Sequence, residues 1–550
     1  MSRKSKGKNL AAGRGQATDP FGPQIVRAAQ FESQGNLEAA YGIYRQILAE
    51  APQHSHVNIR LVTLLTQAGQ FEAAAKHCAN ILESNKNNIF ALTVYADCMS
   101  GLSNYEEAIQ YYERAIGQFG GVEGRQLRSA DKAQIYYRLG NIYGESDLYE
   151  SAKRMLVKAA ELDPEFAGAY CVLGSICSAM GESDQAITYF RKAIELNPLL
   201  GRAHKGLAHE KKHLELDSEV EAMQELFDSG RMALEDKTEV AFALGKAYEE
   251  LGDYKKAFKC FSEGNRLHRS VYAYDIAEDL SNIETLRLLY KPEYAKSEAI
   301  GAGQLAGITP VLIVGMPRTG SSLLEQMLSS HSLVHGIGES DAAFSLLHAA
   351  SKGDLRNLSS LGPADWRQMG EEYLSLVSKN AGGKPFVVDK MLSNFQCIGL
   401  MRMMCPQAKI INCRREAMDV ALSAYKNAFK KGSLECSYDL EDFGALYRRY
   451  DEVMKYWRKT LPGWVYDLDY EDLIADPEKE LRSVLSFIGL EFEESCLSFY
   501  KTKRVILTAS MTQVRQPVYK SSVNLWKRYE KELQPFKKAY KGSWFGFLRK

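Results

Sequence analysis

The stretch VLIVGMPRTGSS, residues 311–322, sets four apolar residues ahead of two glycines, an arginine and a run of hydroxyls. Such a loop between a strand and a helix can turn backbone N–H groups toward an anion, and its glycines let the chain approach closely. Two readings of the loop are open. Gly315 and Gly320 have the glycine spacing of a nucleoside-triphosphate loop, GxxxxGK(S/T), but Ser321 stands where the phosphate-binding lysine belongs. The loop has its own cation in Arg318, and the apolar run Ile410-Ile-Asn-Cys leads into Arg414 and Arg415, not into an acidic residue that could hold magnesium. Arginines without a metal carboxylate suit a phosphate-bearing donor handled without Mg²⁺. A guanidinium at Arg415 can grip a phosphate bidentately, and Ser423, eight residues on along the next predicted helix, can add a donor. Glu339, in HGIGES, is a carboxylate on a glycine-rich turn that can take a proton from a hydroxyl, with His331 or His335 as the alternative base. Lys390 follows the apolar run Phe386-Val-Val, at the strand end where open α/β sheets gather ligands. Plainer roles compete: Ser321 and Ser322 can cap a helix, Glu339 can be solvated, and Asp389–Lys390 can be a surface pair.

Taken together, VLIVGMPRTGSSLLEQMLSSH resembles the 5′-phosphosulfate-binding loop of sulfotransferases, and CRREAMDVALSAYKN resembles their 3′-phosphate-binding segment. YEDLIADPEKELRSVLSFIGL and TASMTQVRQPVYKSSVNLWKRYEKEL are also similar, so the likeness runs over about residues 309–535. It is nearest to bacterial tetratricopeptide-repeat sulfotransferases, related to the tyrosylprotein enzymes. The resemblance implies 3′-phosphoadenosine 5′-phosphosulfate, PAPS, as donor, the bisphosphate PAP as product, and no required metal. It implies that Arg318, Thr319, Gly320, Ser321 and Ser322 bind the phosphosulfate, and that Arg415 and Ser423 bind the 3′-phosphate. Glu339, nineteen residues after Gly320, matches the family's catalytic base, and Lys390 its lysine at the bridging oxygen. Arg318 counts with these two as catalytic, while Tyr470 and Ser510 carry over as donor contacts from the YEDL and TAS segments. One departure stands out: Leu525 occupies the place before Trp526 where the family commonly has a basic residue, with Lys520 or Lys527 as substitutes.

The elements that position these residues are of two kinds. Apolar runs at Val311–Val314, Phe386–Val388, Lys409–Asn412 and Val465–Leu468, separated by helical stretches, predict a P-loop-like α/β domain with a mainly parallel sheet over residues 309–550. Ahead of it the sequence repeats. The hexads GNLEAA, GQFEAA, SNYEEA, DLYESA, GESDQA and GDYKKA start at residues 35, 69, 103, 147, 181 and 252, spaced by 34, 34, 44, 34 and 71. An alanine follows each start by five residues, a large residue usually by nine, and Pro52, Pro164 and Pro198 stand where second helices must stop. This pattern resembles the tetratricopeptide repeat, about seven copies between residues 23 and 270, and predicts an all-α solenoid that holds a peptide, protein partner or acceptor. Residues 1–22 read as a disordered basic tail and 271–308 as a helical connector and linker. The change of period near Asn265 marks a donor-binding module that a fragment from about residue 290 should contain.

Composition limits the function classes. Of 550 residues, 45% are hydrophobic and 25% charged, which is ordinary globular usage. Lys and Arg number 69 against 69 Asp and Glu, so there is no global field for a nucleic-acid backbone and no nucleic acid is expected as partner. The ten cysteines form no CxxC pair and suggest scattered core thiols in a reducing, cytoplasmic setting. The basic N-terminus lacks the apolar stretch of a signal peptide, and no apolar run is long enough to span a membrane. From Lys520 to Lys550 nine basic residues face two acidic ones, which suits a lip around an anionic nucleotide or a solvated tail. The expected protein is a cytoplasmic sulfotransferase acting on a hydroxyl of a peptide tyrosine, carbohydrate or small molecule. The alternatives are a P-loop phosphoryl-transfer enzyme and a repeat scaffold with an inactive transferase domain.

Overall fold

A computed structural model describes residues 19–295, 307–379, 381–429, 432–501 and 523–542. Its contacts divide the chain into two compact units, Met1–Val172 and Leu173–Lys550.

The first unit is built of helix pairs: Gly22–Ser33 with Leu37–Glu50, Ser55–Gln67 with Phe71–Ser84, Ile89–Gly101 with Tyr105–Gly117, and Ser129–Glu145 with Tyr149–Leu162. The opening residue of each hexad is the turn between the two helices. Gly35, Gly69, Ser103 and Asp147 all have positive φ, between 60° and 76°. A left-handed residue reverses the chain within one step, and glycine does so with least strain. The alanines five residues on, Ala40, Ala74, Ala108 and Ala152, are fully buried, where helices touch. Gly140 shows the pairing of small with large: a Cβ there would stand 2.7 Å from Leu156 of the partner helix.

Further pairs are Ala167–Met180 with Ser183–Leu196 and Leu234–Glu250 with Tyr254–Arg269, and between them Gly201–Glu210 and Ser218–Asp228 each pack on Leu234–Glu250 instead of on each other. The same logic holds in the second unit, where added methyls on Gly174 and Gly245 would collide with Phe190 and Phe261. The stretch beginning at Gly201 is the copy whose hexad cannot be read. Its first helix has only ten residues, and its connection, Lys211 to Asp217, contains no positive-φ glycine. Helix Ile276–Leu288 follows the last pair.

The second unit also contains a five-stranded parallel sheet: β1 Thr309–Gly315, β2 Val334–Gly338, β3 Phe386–Asp389, β4 Lys409–Arg414 and β5 Val465–Asp469, in the order β2-β3-β1-β4-β5. Val311 to Val314 are fully buried, as expected for a central strand covered on both faces. Strand β2 was not among the sequence expectations. Its residues VHGIG carry two glycines and no β-branched run, and as an edge strand it needs only the one ladder it makes with β3. All ten cysteines are buried and unbridged. Among the described residues no helix is long and apolar enough to cross a membrane.

Candidate active site

The chain passes from β1 out to β2, returns to β3, then crosses β1 to reach β4, so the order reverses between β1 and β4. Open parallel sheets bind ligands in the crevice at the carboxyl ends of such strands. Gly315 closes β1 with φ 144°, and a Cβ there would lie 2.5 Å from the Cys413 carbonyl of β4. The loop then turns through Arg318 at φ 66° and Gly320 at φ 85° into helix Ser321–Ser329. Thr319 Oγ1 donates to the Met316 carbonyl at 2.8 Å, bracing the loop from within. Thr319 and Ser321 are almost wholly buried.

Strand β4 delivers Arg414 and Arg415 to the same edge and continues into helix Ala417–Tyr425. Ser423 on this helix accepts from Arg318 Nε at 3.0 Å, and Arg415 Nη1 donates to the Arg318 carbonyl at 3.0 Å. The Arg415 guanidinium lies 4.8 Å from the centre of the Tyr470 ring, and a side chain on Gly320 would run into that same ring. Arg318, Gly320, Arg415, Ser423 and Tyr470, far apart in sequence, thus meet at one point. Arg318 and Arg415 bring two guanidinium groups to this edge, while Arg414 pairs with Asp467 at 3.6 Å and Asp469 at 3.3 Å.

A second group forms where β2 and β3 end. Lys390 is 1% exposed, its N–H donates to the Gly338 carbonyl at 2.8 Å, and its Nζ stands 2.5 Å from Glu339 Oε1. The Glu339 side chain is 55% exposed, so this buried ammonium meets a carboxylate that solvent can reach. Glu325, on the helix after the loop, accepts from the Gly338 N–H at 3.0 Å and so ties the Glu339 turn to the anion loop. Asp389 faces inward, fully buried, and accepts from Tyr373 Oη at 2.9 Å and from the Met391 N–H at 3.0 Å. Burial pushes the Asp389 carboxyl up to about 6, against the hydrogen bonds from Tyr373, Met391 and Ser340. A surface pair between Asp389 and Lys390 is therefore not what forms: both are inside, with different partners.

The two histidines considered as bases sit toward the other end of β2. His331 precedes it, with Nε2 3.0 Å from the Glu491 carbonyl and Nδ1 accepting from the Leu333 N–H at 3.1 Å. His335 is the second residue of the strand, whereas Glu339 follows its carboxyl end. Ser322 opens the loop helix beside Ser321. Ser510 and Lys520 lie outside the described residues. Leu525 and Lys527 lie in the short helical turn Leu525–Tyr529, which Asp419 holds by accepting from the N–H groups of Asn524 at 2.7 Å and Trp526 at 3.1 Å. Asp419, Glu325 and the inward-facing role of Asp389 escape sequence reasoning; the one available signal is a carboxylate within an otherwise apolar stretch. Among the described residues no group of three or more His, Cys, Asp or Glu side chains is placed to hold a metal ion.

The sulfotransferase family profile matches residues 310–494, and tetratricopeptide-repeat profiles match 32–98, 91–118, 133–166, 167–198 and 238–267. The family match thus contains every site residue considered above except Ser510, Lys520 and the turn at Leu525. An uncharacterized protein of Aquifex aeolicus is 31% identical over 527 residues, covering 91% of this chain and 67% of its own length. A TPR repeat-containing protein of Methanocaldococcus jannaschii is 21% identical over 298 residues, 48% of each chain. Among solved structures, the sulfotransferase domain of the Synechococcus PCC 7002 olefin synthase is similar with 19% identity and a TM-score of 0.32, covering 42% of this chain and 96% of that one. With its sulfotransferase domain set behind tetratricopeptide repeats, the chain belongs to one family with the Aquifex aeolicus protein.

Proposed function

We propose that the protein transfers a sulfuryl group from PAPS to a hydroxyl acceptor, and that its repeats recruit the acceptor or a partner, in the cytoplasm. The observation that carries this reading is the meeting of Arg318, Arg415 and Ser423 at the switch point of the sheet, inside the segment matched by the sulfotransferase family. Backbone N–H groups of Thr319 to Ser322, with Arg318, would hold the phosphosulfate, and Arg415 with Ser423 the 3′-phosphate. Tyr470, with its ring 4.8 Å from the Arg415 guanidinium, would complete the donor pocket; Ser510 remains a candidate donor contact by resemblance.

The donor, when bound, supplies an electrophilic sulfur and a phosphate leaving group. Glu339 accepts the proton of the acceptor hydroxyl as that oxygen forms its bond to sulfur and the bond from sulfur to the phosphate oxygen breaks. Lys390 and Arg318 meet the charge that develops on the departing phosphate. The bond pair leaves with PAP, and no metal is required for these roles. The acceptor is a peptide tyrosine, a carbohydrate or a small molecule. A thermal-shift comparison of PAP with ATP–Mg²⁺ tests the donor: PAP should raise the melting temperature. Stabilisation by ATP–Mg²⁺ alone would instead mark a phosphoryl-transfer enzyme.

A further inference from the structure

The helix carrying Ser423 runs directly into the last repeat pair of its own compact unit. Asn265, 1% exposed, donates from Nδ2 to the Tyr425 carbonyl at 2.9 Å, and the Tyr425 ring stacks on Phe258 with centroids 5.5 Å apart. One residue further, Lys426 Nζ pairs with Glu249 Oε2. The other oxygen of that carboxylate accepts from Tyr529 Oη at 2.7 Å. Tyr529 closes the turn Leu525–Tyr529, whose opposite end Asp419 fastens to the Ser423 helix. Glu249 therefore bridges two segments that together frame the Arg415/Ser423 corner, and it does so from the repeats.

We propose that Glu249 is a positioning residue of the donor site: by holding Lys426 and Tyr529 it sets the distance between the Ser423 helix and the Leu525–Tyr529 turn, and with it the preference for a nucleotide bearing a 3′-phosphate. Its charge is wrong for touching a phosphate, and both its oxygens are engaged, so it acts through its partners. The side chains of Lys426 and Glu249 are 18% and 15% exposed, a setting in which losing one charge leaves the other poorly solvated and free to move its segment. The inference rests on the PAPS reading and adds to it that the final repeat is part of the nucleotide-binding machinery.

Titration calorimetry on the full chain separates the two. Wild type should bind PAP more tightly than AMP, which lacks the 3′-phosphate. Glu249→Gln should cut that preference roughly tenfold, the scale of one charge-assisted contact, by weakening PAP while AMP affinity stays nearly the same. Tyr529→Phe, which removes a single hydroxyl, should shift the preference in the same direction by a smaller factor, and it decides the matter if Glu249→Gln does not fold. Glu263→Gln breaks an exposed pair with Arg266 on the last repeat helix and should leave the preference unchanged. A lower melting temperature with the preference intact in the folded variants would show that Glu249 is only structural glue and overturn the inference alone. A wild type with no preference overturns the donor reading, and this inference with it.

Discussion

Lys390 and Glu339 form an ion pair 2.5 Å long in which the ammonium is 2% exposed and the carboxylate 55% exposed. The asymmetry sorts the two groups by what each can do. Lys390, anchored through its backbone to Gly338, is a fixed charge at the end of β3. Glu339 is the member that solvent reaches.

Glu339→Gln keeps the shape of the turn and removes the proton acceptor. Sulfuryl transfer from PAPS should fall by about 10²–10⁴-fold, the range for a lost general base, while PAP affinity changes little. Turnover equal to wild type would remove Glu339 from the reaction.

The two arginines are interlocked, since Arg415 donates to the carbonyl of Arg318 while Arg318 donates to Ser423. Arg415→Ala should weaken PAP far more than AMP, and Arg318→Ala should weaken both. In a double-mutant cycle the losses in PAP binding should fail to add by more than about 0.5 kcal/mol, as contacts sharing a network do. Strict additivity in calorimetry would mean that the two bind independently.

Asp389 makes stability depend on pH in a particular direction. Burial raises its carboxyl from 3.8 to about 6, so between those values the folded chain keeps a proton that the unfolded chain has lost. Its contribution to stability therefore declines as pH rises from about 4 to 6, by up to about 3 kcal/mol. Asp389→Asn imitates the protonated form and lacks this dependence. In denaturant unfolding, the stability of wild type relative to the variant should improve on going from pH 7 to pH 4. A difference that is the same at both pH values would show that Asp389 keeps an ordinary carboxyl.

A chain starting at residue 173 should bind PAP within a few-fold of the full chain, while one starting at residue 290, the boundary that the change of period suggests, should bind it poorly because the contacts of the last repeats revise that boundary. The shorter fragment discards Asn265 beneath Tyr425, His268 stacked 3.6 Å from the Tyr438 ring, and Arg269, which is 2.8 Å from Asp442. Calorimetry on the two purified fragments checks this, and equal affinity would make the last repeats dispensable for the donor.

What could be read in the sequence was what backbone geometry imposes locally. The hexads are visible because their first residue must turn left-handed, and the anion loop because Gly315 and Gly320 have no room for a side chain. The continuous apolar runs mark β1 and β4 because both faces are covered. Edge strand β2 has no such run. Carboxylates that hold distant segments together leave no local trace: Glu249 meets Tyr529 across 280 positions, and Asp419 meets Asn524 across 105. Their neighbours in sequence say nothing of their partners in space.

The burial of all ten cysteines has a practical consequence. Native thiols shielded by packing react slowly with maleimides, so a single cysteine added at an exposed position would label almost alone. Leu214, 81% exposed in the connection of the unreadable repeat, is such a position. A fluorophore there would report, against a silent background, whatever molecule comes to rest on the repeats during turnover.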